Sequence, residues 1–226
     1  MDSLKAMWFR RKADPDSTGL GRVLFGDQPL EEWPPEGDDS DYPWSDFSAA
    51  REAWRAGDRQ SAVTAWRSIA YDSQLESRHN LQAWHFLRLA GVQPLGEEAA
   101  QLLGVMAEVA VGRQHDLLVA YADGTVRYLN HAGGVAMVDD VTLEGLTEAV
   151  QTWLGVGQRL AEVVGLWDEA TLPPLPPGQT RILMLTPGGF RFGQGPDAAL
   201  RSDPAGSDFL QAATRVLLVV TAHTTK

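Results

Sequence analysis

The sequence predicts an α+β fold: N-terminal helical hairpins, then an antiparallel sheet of about six strands with two helices packed on it, in the order β-β-β-β-α-β-β-α. Three observations carry this. Hydrophobic spacing changes from a helical to a two-residue period at Gly104. Two turn signals, Ala122-Asp123-Gly124 and Thr186-Pro187-Gly188-Gly189, separate β-rich runs. A long amphipathic stretch, 142–164, sits between the two groups of strands.

Taken in order, residues 1–46 are rich in Gly, Pro, Asp and Glu without a sustained period, and read as an extended or partly disordered arm. Trp33, Tyr42, Trp44 and Phe47 lie in or beside it, and a solvating tail has little use for them. They dock onto the body or meet a partner; docking is preferred, because large aromatics are usually buried. Residues 47–103 read as a helical layer. In Ala50–Ala70 the pattern A-W-x-A-G-D-x-x-x-A-V-x-A-W resembles the turn of a tetratricopeptide-type hairpin, with Gly57-Asp58 as the break. A helix over about 75–89 follows, stopped by Gly91 and Pro94, then a short helix over 97–103. Two hairpins are too few for a free-standing solenoid, so this layer should lean on the rest of the chain.

Residues 104–226 form the α+β part. Val105, Ala107, Val109 and Val111 alternate along the first strand, and Arg113–His115 is read as a turn. Asp123-Gly124 predicts a two-residue type I′ hairpin that pairs Tyr121 with Val126 and Val119 with Tyr128 on one face. Leu118, Ala120 and Leu129, with Arg127, then share the other. A short fourth strand covers 135–138. Asp140 or Thr142 caps the long helix, whose stripe is Leu143, Leu146, Val150, Trp153, Leu160 and Val164. A Pro-rich connector at 172–178 precedes a second hairpin, Arg181–Leu185 and Phe190–Phe192, through a type II or slightly longer turn, with the Gly193-x-Gly195 end of GFRFGQGP read as a loop. Ser207 caps a last helix with Phe209, Ala213, Val216, Leu217 and Val220 inward. Both faces of the first hairpin are apolar, so the C-terminal helices should cover one face and the helical layer, or a partner, the other.

The block LLVAYADGTVRYLNHAGG (117–134) and the later LMLTPGGFRFGQGP (183–196) resemble a family of uncharacterised bacterial proteins. In these a helical front end precedes a domain with an AYADG-x-x-RYLN segment and a later L-T-P-x-G-x-x-F-G-x-G-P segment. The likeness covers roughly residues 50–222. It implies the same architecture and a bacterial origin, and no activity.

Composition bounds the function. In 226 residues there are 19 Lys plus Arg and 30 Asp plus Glu, a net charge of −11, which argues against general nucleic-acid binding. The charge is local: residues 23–50 hold eight acids (Asp27, Glu31, Glu32, Glu36, Asp38, Asp39, Asp41, Asp46) and no base. The chain has no Cys, so disulfides and thiolate chemistry are excluded. No apolar run suits a transmembrane helix, and Leu4, Met7, Trp8 and Phe9, interrupted by Lys5, do not form a signal peptide. A cytoplasmic location is the default.

No catalytic set, metal ligand set or cofactor motif emerges. The five histidines have no metal-ligand spacing, and Asp38-Asp39-Ser40-Asp41 lacks the features of a calcium loop. The expected function is therefore a non-enzymatic cytoplasmic interaction or adaptor protein. Its acidic arm, through Asp38, Asp39 and Asp41, steers towards a basic partner surface and anchors through Trp33 and Trp44. The alternative is a small-ligand or anion-binding domain, hydrolases included, using a rim of Tyr128, Asn130, His131 and Arg191. Two further readings are an immunity or antitoxin-type protein and a membrane-surface contact by the Trp8–Lys12 tip.

Overall fold

In the computed structural model, residues 23–35, 41–139, 143–169 and 172–224 are described. Asp38, Asp39, the N-terminal tip and the Asp140/Thr142 cap lie outside the described residues.

The helical layer consists of α1 (Trp44–Arg55), α2 (Arg59–Ala70) and α3 (Ser77–Leu89). Gly57 takes φ +85, which lets its N–H reach Trp54 O while the Asp58 N–H reaches Ala53 O. That closes the carbonyl end of α1 in a Schellman turn. The Asp58 carboxylate then accepts from the Ser61 N–H at 3.1 Å and caps α2. One dipeptide thus ends one helix and starts the next. Buried Phe47, Trp66, Trp84 and Phe86 form the core between the three helices, and Trp33 from the arm joins them. The predicted short helix at 97–103 is a 3₁₀ turn, Gly96–Ala100, after which the chain is already extended.

Six strands follow: β1 (Gly104–Val111), β2 (Gln114–Tyr121), β3 (Val126–Leu129), β4 (Val135–Val138), β5 (Gln179–Thr186) and β6 (Gly189–Pro196). All pairings are antiparallel, in the spatial order β4-β3-β2-β1-β5-β6. The helix α4 (Leu146–Val163) crosses between the two groups of strands, and α5 (Asp197–Ser202) and α6 (Pro204–Thr224) close the chain.

The sheet is covered on both sides by its own chain. On one side Val105, Ala120, Val126 and Met184 meet Leu146, Val150 and Trp153 of α4 and Phe209, Val216 and Val220 of α6. Trp153 and Phe209 pack edge-on, centroids 5.4 Å apart. On the other side Met106, Val119, Tyr121, Leu183 and Leu185 meet Leu81 of α3 and Leu24 of the arm. The Tyr121 hydroxyl donates to Leu24 O at 2.6 Å. Each apolar face therefore has its cover, as the sequence led us to expect.

Several local readings are corrected. The first tight turn is Gly112-Arg113, with Val111 opposite Gln114, so His115 lies within β2. The Asp123-Gly124 hairpin pairs Ala120 with Val126 and Val119 with Arg127, one residue out of the expected register. Asp123 does not take the positive φ that a type I′ turn requires; only Gly124 does, at +89. The loop is three residues, with Gly124 N–H bonded to Tyr121 O and Tyr121 N–H to Thr125 O, a type I turn closed by a glycine bulge. The slip exchanges faces: Arg127 joins Tyr121 and Val119 on the helical-layer side, while Val126 and Tyr128 face α4 and α6. The strand predicted at Phe190–Phe192 is present but runs on through Gly193 and Gly195 to Pro196, so the glycine end of GFRFGQGP is strand and not loop. Its turn is not type II, since the positive φ falls on Gly189 and not on Gly188. The last helix starts at Pro204 rather than at Ser207.

Candidate functional site

The arm is the first candidate. Its segment 23–35 lies on the helical layer. Gln82 of α3, fully buried, receives the Gln28 N–H on its side-chain oxygen and donates its amide to Gln28 O, both at 3.0 Å. This gives an extended backbone the two bonds a neighbouring strand would give it. Trp33 is only 2% exposed. Its ring packs against Trp44 at 5.2 Å and Phe47 at 5.7 Å, and Arg51 donates to its carbonyl. Trp44 is half-buried, and Arg78 lies over its ring. Trp33 therefore anchors the arm to its own body, with no ring surface left for an outside partner. Glu31 and Glu32, on a 3₁₀ turn immediately before it, are exposed, as is Asp41. Tyr42 donates to Asp72 at 2.7 Å; partial burial and this carboxylate push its hydroxyl up to about 12.

The proposed ligand rim divides. Tyr128, Asn130 and His131 lie together at the β3–β4 turn, where the Asn130 side chain accepts from the Ala132 and Gly134 N–H groups and so builds the turn itself. His131 pairs through Nδ1 with Asp116 at 2.8 Å. Burial and Asp116 raise the Tyr128 hydroxyl. Arg191 is on β6, four strand spacings or roughly 19 Å across the sheet, and donates to Val164 O. Two surface depressions, of about 580 and 280 Å³, are lined by none of these four residues.

Two charged clusters were not visible as such in the sequence. On the helical-layer face, Glu108 of β1 holds Arg181 of β5 at 2.9 Å and His115 of β2 at 2.8 Å. Arg181 also reaches Gln194 and the carbonyl of Pro173, and Gln194 donates to Pro174 O. Burial lowers the Arg181 guanidinium, and Glu108 opposes that shift. These bonds pin the Pro-rich connector to the sheet. The pairing becomes predictable once the turn is placed at Gly112-Arg113, which sets His115 opposite Ala110 and diagonal to Glu108.

The second cluster joins the layers. Arg127 is 6% exposed and bonds Glu76, before α3, and Asp139, after β4. Burial works to raise the Glu76 carboxyl, but hydrogen-bonded Arg78, together with Arg127, leaves it below its usual range. Asp123 accepts from the Ser77 N–H at the start of α3, and its own N–H goes to the Ser77 hydroxyl. A turn between strands thus caps a helix 46 positions earlier.

Among the described residues no group of three or more His, Cys, Asp or Glu side chains could hold a metal ion, and no helix is long and apolar enough to cross a membrane. No protein-family model, curated protein or solved structure matches the chain.

Proposed function

We propose that this chain is a non-enzymatic protein–protein interaction or adaptor protein of a bacterial cytoplasm. Its arm reads a partner with a basic surface. One observation carries the reading: Trp33 is buried in the helical-layer core while Glu31 and Glu32 beside it face solvent. The acids then sit on a fixed ridge, and their geometry need not be ordered at the moment of binding, which lowers the entropic cost of association. Trp33 acts as the internal anchor and the carboxylates as the outward contact, a division of roles between residues the sequence had grouped together. Asp38, Asp39 and Asp41 extend the same acidic run. The likeness of segments 117–134 and 183–196 to a bacterial family supports the origin.

The test is recovery of partners from the native cell extract by full-length chain carrying Glu31→Lys, Glu32→Lys and Asp41→Lys together. These side chains are exposed, so the fold should be unaffected. Recovery that is lost in the variant, and that weakens with salt in the wild type, supports the proposal. Undiminished recovery overturns it.

A further inference from the structure

His79 lies on α3, in the most aromatic part of the molecule. It is 5% exposed, and neither ring nitrogen meets a protein hydrogen-bond partner. The Trp44 ring stands edge-on to it at 4.8 Å, and the Trp33 ring lies at 6.5 Å. A buried imidazole in such a cage is held neutral, because an imidazolium would lose its hydration without gaining an acceptor. Four charged groups face it. Glu76 and Arg78 come from the start of its own helix, Asp123 from the β2–β3 turn and Arg127 from β3. The two carboxylates favour a proton on the ring and the two guanidinium groups oppose one. Both carboxylates are already engaged, Glu76 by Arg78 and Arg127, Asp123 by the N–H groups of Ser77 and Thr125.

We propose that His79 is an acid trigger for the arm: a proton on its ring releases residues 23–35 from α1 and α3. The ring can regain water only if one wall of the cage moves. Trp44 and His79 lie in the first turns of α1 and α3, which main-chain bonds tie down: Ser45 N–H to Asp41 O, Phe47 N–H to Pro43 O and His79 N–H to Glu76 O. Trp33 sits on a segment held by side-chain bonds: the Gln28–Gln82 pair, Tyr121 to Leu24 O and Arg51 to Trp33 O. The arm is therefore the wall that yields. Burial, the largest influence, with Arg78 next, pulls the His79 ring down to about 4 from an ordinary 6.5. The open form, with the ring in water, takes the proton at the ordinary value, so acid favours opening throughout that interval. The open fraction should grow by up to about tenfold per pH unit across it. This release stands whether or not the arm's carboxylates read a partner.

Hydrogen exchange on the full-length protein tests it, with protection of the arm amides corrected for intrinsic rates from neutral pH down to about pH 4.5. The Gln28 amide is the principal reporter. In the wild type its protection should fall by up to about tenfold per unit, with α4 and α6 unchanged. In His79→Phe it should stay level. The arm carboxylates Asp27, Glu31 and Glu32 are the same in both proteins, so the variant isolates the effect of the ring. Arm protection independent of pH in the wild type, or falling equally in His79→Phe, overturns the proposal. Should His79→Phe not fold, the wild-type ring can be titrated directly by NMR: a ring protonating well below its ordinary value supports the trigger, and one protonating at its ordinary value overturns it.

Discussion

At the residue scale, Trp33 is the side chain on which the arm depends. Its indole fills space between Trp44, Phe47 and His79 that no smaller group can fill. Trp33→Ala should cost about 3–5 kcal/mol in urea denaturation, through lost burial and the cavity left behind. His79 makes the same region sensitive to pH. The folded ring binds its proton less readily than the unfolded one, so the folded chain carries fewer protons between those two values. Stability contributed by the neutral ring is complete above about 6.5 and declines as pH falls to about 4. The loss is roughly 3 kcal/mol over that window. Chemical denaturation at several pH values should show this slope in the wild type and a shallower one in His79→Phe. The sequence marked Trp33 and Trp44 as important aromatics but not which of them is buried, because their burial is set by α3, more than thirty positions away.

At the element scale, the Asp123-Gly124 hairpin shows where local sequence stops deciding. Asp-Gly suits both a two-residue type I′ loop and a three-residue loop with a glycine bulge. Tertiary contacts select the second: Asp123 must reach the start of α3, and Tyr121 must point at Leu24. Asp123→Ala removes the bond to the Ser77 N–H and the Asx turn to Thr125, and should cost about 1–2 kcal/mol. Gly124→Ala forces an alanine to a φ of +89 and should cost about 1 kcal/mol or more. Thermal melts of both variants check these values. The second half of β6 was obscured for a related reason. Gly193 and Gly195 read as loop punctuation, but they are the small members of a two-residue alternation with Phe190, Phe192 and Gln194 on the opposite face. A Cβ at Gly193 would make only ordinary contact with Ile182, so the pairing does not depend on glycine there. The helix stripes were easier to read: Leu146, Val150, Trp153, Phe209, Ala213, Val216 and Val220 are all buried, because 3.6-residue spacing carries its own orientation.

At the scale of the whole molecule, the sheet is closed off from water by one chain folded around it. The C-terminal helices α4 and α6 take one face, and α3 with the arm takes the other. The requirement for two covers was legible in the apolar character of both faces of β2. What supplies the second cover was not, since an intramolecular layer and a partner protein leave the same pattern in the strands. The candidate site follows from that closure: with the arm spent partly on covering the sheet, its outward residues are the acids. The most direct test is the fragment beginning at Gly104, compared with the full chain by sedimentation and by urea denaturation. Without Leu81 and Leu24, the face formed by Met106, Val119, Tyr121, Leu183 and Leu185 is left open. The fragment should then self-associate or be markedly less stable than the full chain. A fragment that is monomeric and as stable as the full chain would contradict the account.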